Sequence, residues 1–142
     1  MKKLANLLTM LLVVSLSAFA GEGHSHGEEH AEVAIPAALD ELWAAIQTEQ
    51  SALVAALEKK DSEGSHKSAD ALLAYANALP GKVEGLDEAK RQRIAGQAKN
   101  LAKVYDDIHH AAEDSAFEKG LKDSAKASAV LKLLAPQLPL KT

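Results

Sequence analysis

Apolar side chains recur at every third or fourth position in four separate segments, and this repeat most restricts how the chain can fold. The spacing places them on one face of an α-helix, whereas a strand would require strict alternation. The four faces are Leu39, Leu42, Trp43, Ile46, Leu53 and Leu57; Ala69, Leu72, Leu73, Ala76 and Leu79; Ile94, Ala98, Leu101, Tyr105, Ile108 and Ala112; and a less apolar face with two serines, Phe117, Leu121, Ser124, Ser128 and Leu131. The pattern predicts four amphipathic helices.

Residues between the segments predict where the first two helices begin and end. Pro36 suits the first turn of a helix, because its fixed φ is helical and its missing N–H is not needed there. This first helix is expected to run to about Lys60. The polar residues 61–65 predict a turn with a serine that caps the second helix, and Pro80 followed by Gly81 is expected to stop that helix.

The ends of the last two helices are also marked by polar residues. Asp87 is a suitable N-cap for the third helix, because its carboxylate can accept hydrogen bonds from free backbone amides. Ser115 and Glu118 have the spacing of a capping box, which predicts the start of a fourth helix that runs to about Ala135. Gly120 is expected to weaken this helix, since glycine is a poor helix former.

Four amphipathic helices joined by short turns must bury their apolar faces against one another. The sequence therefore predicts an all-α domain over residues 36–142, folded as an antiparallel up-down-up-down four-helix bundle. The chain has no cysteine, so packing alone must stabilise this fold. Trp43 is expected in the core, and Gln50, near the centre of the first apolar face, is expected to be buried and to need a hydrogen-bond partner.

The first 20 residues have the pattern of a cleavable secretory signal. Lys2 and Lys3 precede an apolar stretch of roughly 13 residues and a small-x-small site that ends at Ala20. That stretch is shorter than the ~20 residues needed to span a bilayer, so no membrane insertion is expected after cleavage. Loss of both lysines changes the formal charge from −4 to −6, because every Asp and Glu follows residue 20. Such a charge disfavours nucleic acid as a partner and favours cations.

Residues 21–35 are polar, rich in glycine and histidine, and without apolar periodicity, which predicts a flexible tail. Imidazole nitrogen is a good ligand for zinc, copper or nickel, and carboxylates can complete the coordination shell. The candidate metal ligands of the tail are His24, His26, His30, Glu28 and Glu29. The alternative is that this segment is a solvated polar linker with no metal role.

A second candidate metal site involves histidines of the helical domain. His66 and His109 flank the apolar faces of the second and third helices, and an up-down topology brings both to the same end of the bundle. Asp106 lies one turn from His109 and is the first choice of carboxylate. Further candidates are Glu63, His110 and Glu113. The alternative is that these histidines are ordinary residues at the rim of amphipathic helices.

The sequence lacks the motifs of several other functions. Haem is not expected, because there is no Cys-x-x-Cys-His motif and both methionines lie in the signal. The only Glu-x-x-His pair, Glu63 and His66, contains Gly64 in the predicted turn, so a di-iron centre is not expected. A hydrolase elbow would require a strand before its nucleophile, and no strand is predicted. We therefore expect no enzymatic activity.

The order of segments resembles that of two kinds of periplasmic protein. Residues 36–138 resemble small four-helix-bundle proteins that look like haem-free relatives of the b-type cytochrome bundles. His24, His26 and His30 resemble the His-rich leaders of periplasmic proteins from heavy-metal efflux systems. These resemblances imply a periplasmic accessory protein of heavy-metal homeostasis that captures or buffers a divalent or copper ion through its tail. The alternative function is a metal-independent interaction protein that docks an envelope or efflux partner.

Overall fold

The computed structural model describes residues 33–141. Within this range the chain forms α1 (Leu39–Glu58), α2 (Ser62–Ala78), α3 (Glu88–Glu113) and α4 (Phe117–Leu134). Short 3-10 turns follow α2 at Leu79–Lys82 and α4 at Ala135–Gln137, and no strand occurs in the described range. The all-α prediction is confirmed. The predicted signal, most of the predicted tail, and the candidate ligands His24, His26, His30, Glu28 and Glu29 lie outside the described residues.

The apolar faces of the four helices form one shared core. Each helix packs against the next one in sequence, and α1 also packs against α4. The largest fully buried side chains include Tyr105, Leu42, Ile46, Leu53, Leu72, Leu101 and Ile108. All six residues of the face predicted for α3 are buried, whereas on α4 Ser124 and Leu131 are buried and Phe117, Leu121 and Ser128 only partly so. No helix in residues 33–141 has an apolar stretch long enough to cross a bilayer.

The start of α3 agrees with the sequence prediction, whereas the starts of α1, α2 and α4 differ from it. Asp87 is the N-cap of α3, as predicted, and its side chain accepts a hydrogen bond from the Lys90 amide at 2.9 Å. At α2 the capping residue is Asp61, which accepts from the Gly64 amide, so the predicted serine cap is wrong. Gly64 therefore lies inside the first turn of α2 and not in a loop.

The predicted capping box of α4 is also wrong. Ser115 adopts a left-handed backbone conformation with φ 55°, and Ala116 takes the N-cap position without a side-chain hydrogen bond. The tight α3–α4 turn imposes this conformation, which is uncommon for a residue other than glycine. The predicted start of α1 also differs from the structure: the helix begins at Leu39, so Pro36 precedes the helix and does not lie in its first turn.

Candidate metal centre on helices α2 and α3

Two pairs of potential ligands lie on facing sides of α2 and α3. His66 and Asp70 are one turn apart on α2, and His109 and Glu113 are one turn apart on α3, so each pair shares a helix face. The start of α2 is tied to the end of α3 by Ser62, whose hydroxyl donates a 2.7 Å hydrogen bond to the Ala112 carbonyl. This register brings the two pairs together.

The imidazole rings of His66 and His109 contact each other through their Nε2 atoms. The Nε2 atoms of His66 and His109 are in direct contact, and the ring centroids are 4.0 Å apart with an interplanar angle of 83°. The Asp70 carboxylate lies against both rings: Oδ2 is 3.3 Å from Nε2 of His66, and Oδ1 is 3.3 Å from Nε2 of His109. Two imidazole nitrogens and one carboxylate thus converge on a single point.

Glu113 lies at the edge of this cluster. Ligand atoms of His66, His109 and Glu113 lie within 4.8 Å of one another, and Glu113 Oε2 is 3.9 Å from Nδ1 of His109. The same oxygen accepts a hydrogen bond of 2.9 Å from Nδ1 of His110. This bond raises the pKa of the His110 imidazole and lowers the pKa of the Glu113 carboxyl.

The cluster is partly exposed to solvent. The side chain of His109 is 12% exposed, and those of His66 and Asp70 are 23% and 24% exposed. His110 and Glu113 are more exposed, at 63% and 43%. An ion could therefore reach the central nitrogens and the carboxylate from solvent.

The structure brings together some of the predicted site residues and separates others. His66 and His109 are in contact, and Glu113, a further candidate, is their neighbour. Asp106, the first choice of carboxylate, lies outside the cluster with Oδ1 3.8 Å from Nε2 of His110. Asp70, which was not among the predicted candidates, contacts both imidazoles. The spacing of four residues from His66 to Asp70 was the signal that could have identified it.

Two imidazoles with one carboxylate form a donor set suited to borderline divalent ions such as zinc, copper or nickel. Neutral imidazole supplies a nitrogen lone pair, and the carboxylate offsets part of the charge of the ion. Comparisons with protein-family models, with curated proteins and with solved structures found no match. The functional proposal therefore rests on the chemistry and geometry of these side chains.

Proposed function

We propose that the protein is a periplasmic metal-binding accessory protein that captures or buffers zinc, copper or nickel, with a metal site on α2 and α3. The observation that supports it is the convergence of His66, His109 and Asp70 at one point. A cation there would interact with both nitrogen lone pairs and with the carboxylate at once.

We also propose that the tail ligands predicted from the sequence make the first contact with the ion. Histidines and glutamates in a flexible segment can adopt the geometry of several ions, but ordering the chain lowers their affinity. Ligands fixed on two helices avoid most of that entropic cost. The helical site would then hold the ion more tightly than the tail does.

The full topology that we propose is the antiparallel up-down-up-down bundle. Two observations support it: α1 packs against α4, and contacts between α2 and α3 run in opposite directions. Ser62 contacts Ala112, while His66, further along α2, contacts His109, which precedes Ala112 on α3. Short turns between successive helices fit the same arrangement.

Calorimetric titration of the exported, chelator-stripped protein with zinc and with copper tests this function. The double variant His66→Ala/His109→Ala should lose the tighter binding event, and the triple variant His24→Ala/His26→Ala/His30→Ala should lose the weaker one. His110→Ala is the control, because this imidazole is exposed and contacts Glu113 and Asp106 outside the convergence point. Unchanged heats in both multiple variants would contradict the proposal and favour the metal-independent docking function.

A further inference from the structure

A surface cavity lies where the turn after α1 meets the turn before α4 and the first turns of α4. Its volume is about 740 Å³, which falls in the range of roughly 300–1,000 Å³ that is typical of small-molecule sites. Residues 115–119 form one part of its lining, and the rest is formed by Lys60, Lys122, Asp123 and Lys126. None of the candidate metal ligands on α2 and α3 lines this cavity, so a ligand here would bind independently of the ion.

Four lysines dominate the charge of this cavity. Lys119, Lys122 and Lys126 lie on one side of α4, because they are spaced by three and four residues. Lys60 approaches from the turn after α1. Only two acidic residues share the lining, so the cavity is cationic although the whole chain carries a formal charge of −4. A cationic cavity on an acidic protein favours an anionic ligand.

The carboxylate of Asp123 is paired with two of the four lysines. Its Oδ2 accepts a hydrogen bond from Lys119 at 3.2 Å, and its Oδ1 accepts one from Lys126 at 2.6 Å. The Asp123 side chain is only 9% exposed, so its negative charge lies at the base of the cavity and offsets much of the charge of these two lysines. The other two lysines carry most of the remaining positive charge.

Lys60 and Lys122 are available to a ligand. Both side chains are exposed, and within residues 33–141 neither makes an ion pair or a side-chain hydrogen bond. Glu118, the second acidic residue of the lining, is exposed and is paired with neither of them. An anion can therefore bind both ammonium groups without first breaking an ion pair. Two such groups favour a phosphate, which carries about −1.5 to −2 charges at pH 7, over a singly charged anion.

The cavity also offers an apolar surface. The ring of Phe117 is partly buried and lines the cavity together with Ala116, and the methylene stems of lysines add further apolar area. An inorganic ion would leave this surface in contact with water, whereas an organic group would cover it. We infer that the cavity binds a small organic phosphate, whose phosphate oxygens contact Lys60 and Lys122 and whose apolar part packs against Phe117.

NMR titration of the chelator-stripped, nitrogen-15-labelled protein with phenyl phosphate and with inorganic phosphate tests this inference. Low salt is used, because salt screens exposed charges. We expect phenyl phosphate to shift the amide signals of the cavity lining saturably and to bind about tenfold more tightly than inorganic phosphate, since part of its ring is buried. Equal affinities would overturn the contact with Phe117. Shifts that are absent, that do not saturate or that lie elsewhere would overturn the cavity as a site.

Two double substitutions test the assignment of the lysines. Lys60→Gln/Lys122→Gln should weaken phenyl phosphate binding by about tenfold or more, because it removes both charge-assisted hydrogen bonds. Lys99→Gln/Lys132→Gln is the matched control, since it removes the same charge from two exposed lysines outside the cavity lining, and it should leave the affinity nearly unchanged. Equal losses in the two variants would show that only net charge matters and would overturn the assignment. Circular dichroism verifies the fold of each variant.

Discussion

At the scale of single residues, a buried polar network joins three of the helices. Gln50 on α1 is 8% exposed, and its Nε2 donates to the Ser124 carbonyl and the Ser128 hydroxyl, both at 3.2 Å. Tyr105 on α3 donates to Gln50 Oε1 at 2.8 Å. The sequence predicted that Gln50 is buried and needs a partner, and this is confirmed. It could not identify partners 55 and 74 residues away, because only the packed helices bring them together.

Tyr105→Phe should lower the free energy of unfolding by about 1–3 kcal/mol, since it leaves a buried acceptor of Gln50 without its donor. Burial raises the pKa of the Tyr105 hydroxyl, so this group keeps its proton and donates at any ordinary pH. Urea unfolding measures the change. Tyr75→Phe on the partly buried side of α2 is the matched control and should have a much smaller effect. Equal losses for both variants would contradict the role of the network.

The ionised carboxylate of Asp123 on α4 contributes to the stability of the fold through its contacts with two lysines. Burial raises the pKa of this carboxyl, but hydrogen bonds from Lys126 at 2.6 Å and Lys119 at 3.2 Å outweigh burial and lower its pKa overall. A carboxyl with a lowered pKa in the folded state stabilises the fold above its unfolded pKa of about 3.9, and this contribution is lost as the pH falls through the folded pKa.

Asp123→Asn should therefore lower stability by about 0.5–1 kcal/mol at pH 7, the sum expected of two pairs within one helix. The difference from the unsubstituted protein should shrink as the pH falls below about 4, where the carboxyl becomes protonated. Thermal unfolding across this pH range measures it. Glu84→Gln, in the exposed loop before α3, provides the control. A difference that is constant with pH would show that ionisation of Asp123 does not contribute.

Between helices, Gly120 on α4 makes a close contact that the residue pattern of α4 alone cannot predict. The sequence identified this glycine only as a weak point of α4. In the fold it is buried against α1, and a Cβ at this position would lie 2.7 Å from Cδ2 of Leu57, itself a buried core residue.

The apolar repeats predicted the helices well because burial determines their faces. The N-caps Asp61 and Ala116 were harder to predict. Polar residues that compete for the cap lie side by side before α2, and before α4 the left-handed backbone at Ser115 shifts the start of the helix.

Two glycine substitutions on neighbouring helices should have opposite effects. Gly96 on α3 is exposed, and a methyl group at this position would meet no other atom within 4 Å, so Gly96→Ala should raise the free energy of unfolding by about 1 kcal/mol through helix propensity. Gly120→Ala gains the same propensity but displaces Leu57 in a packed core, so it should be destabilising overall. Chemical denaturation distinguishes these outcomes. Stabilisation by both substitutions would show that α1 and α4 are not closely packed at Gly120.

At the scale of the whole molecule, helix packing creates the candidate site. The angular positions of His66 and His109, combined with an up-down topology, predicted that they share one end of the bundle, and they are in contact. Asp106, the carboxylate predicted for this site, lies near the exposed His110, whereas the Asp70 carboxylate contacts both central imidazoles. The angles of single helices do not report which residues face each other across an interface; that depends on the register between α2 and α3.

An ion that bridges α2 and α3 should stabilise the fold, since it binds the folded chain and not the separated helices. With the tail histidines replaced by alanine, zinc at 100 times its dissociation constant should add about 2.7 kcal/mol to the free energy of unfolding. Differential scanning calorimetry would detect this as a rise in Tm. His66→Ala/His109→Ala should abolish the rise and His110→Ala should retain it. Equal rises in all three proteins would place the ion elsewhere.

In the proposed function, one divalent ion binds to the Nε2 atoms of both His66 and His109. Nitrogen-15 NMR of the imidazole rings, recorded before and after one equivalent of zinc is added, tests it most directly. We expect the Nε2 signals of both residues to move to metal-bound positions and the signals of His110 to change little. If the nitrogen signals of His66 and His109 do not move in excess zinc, the ion does not bind to these two residues.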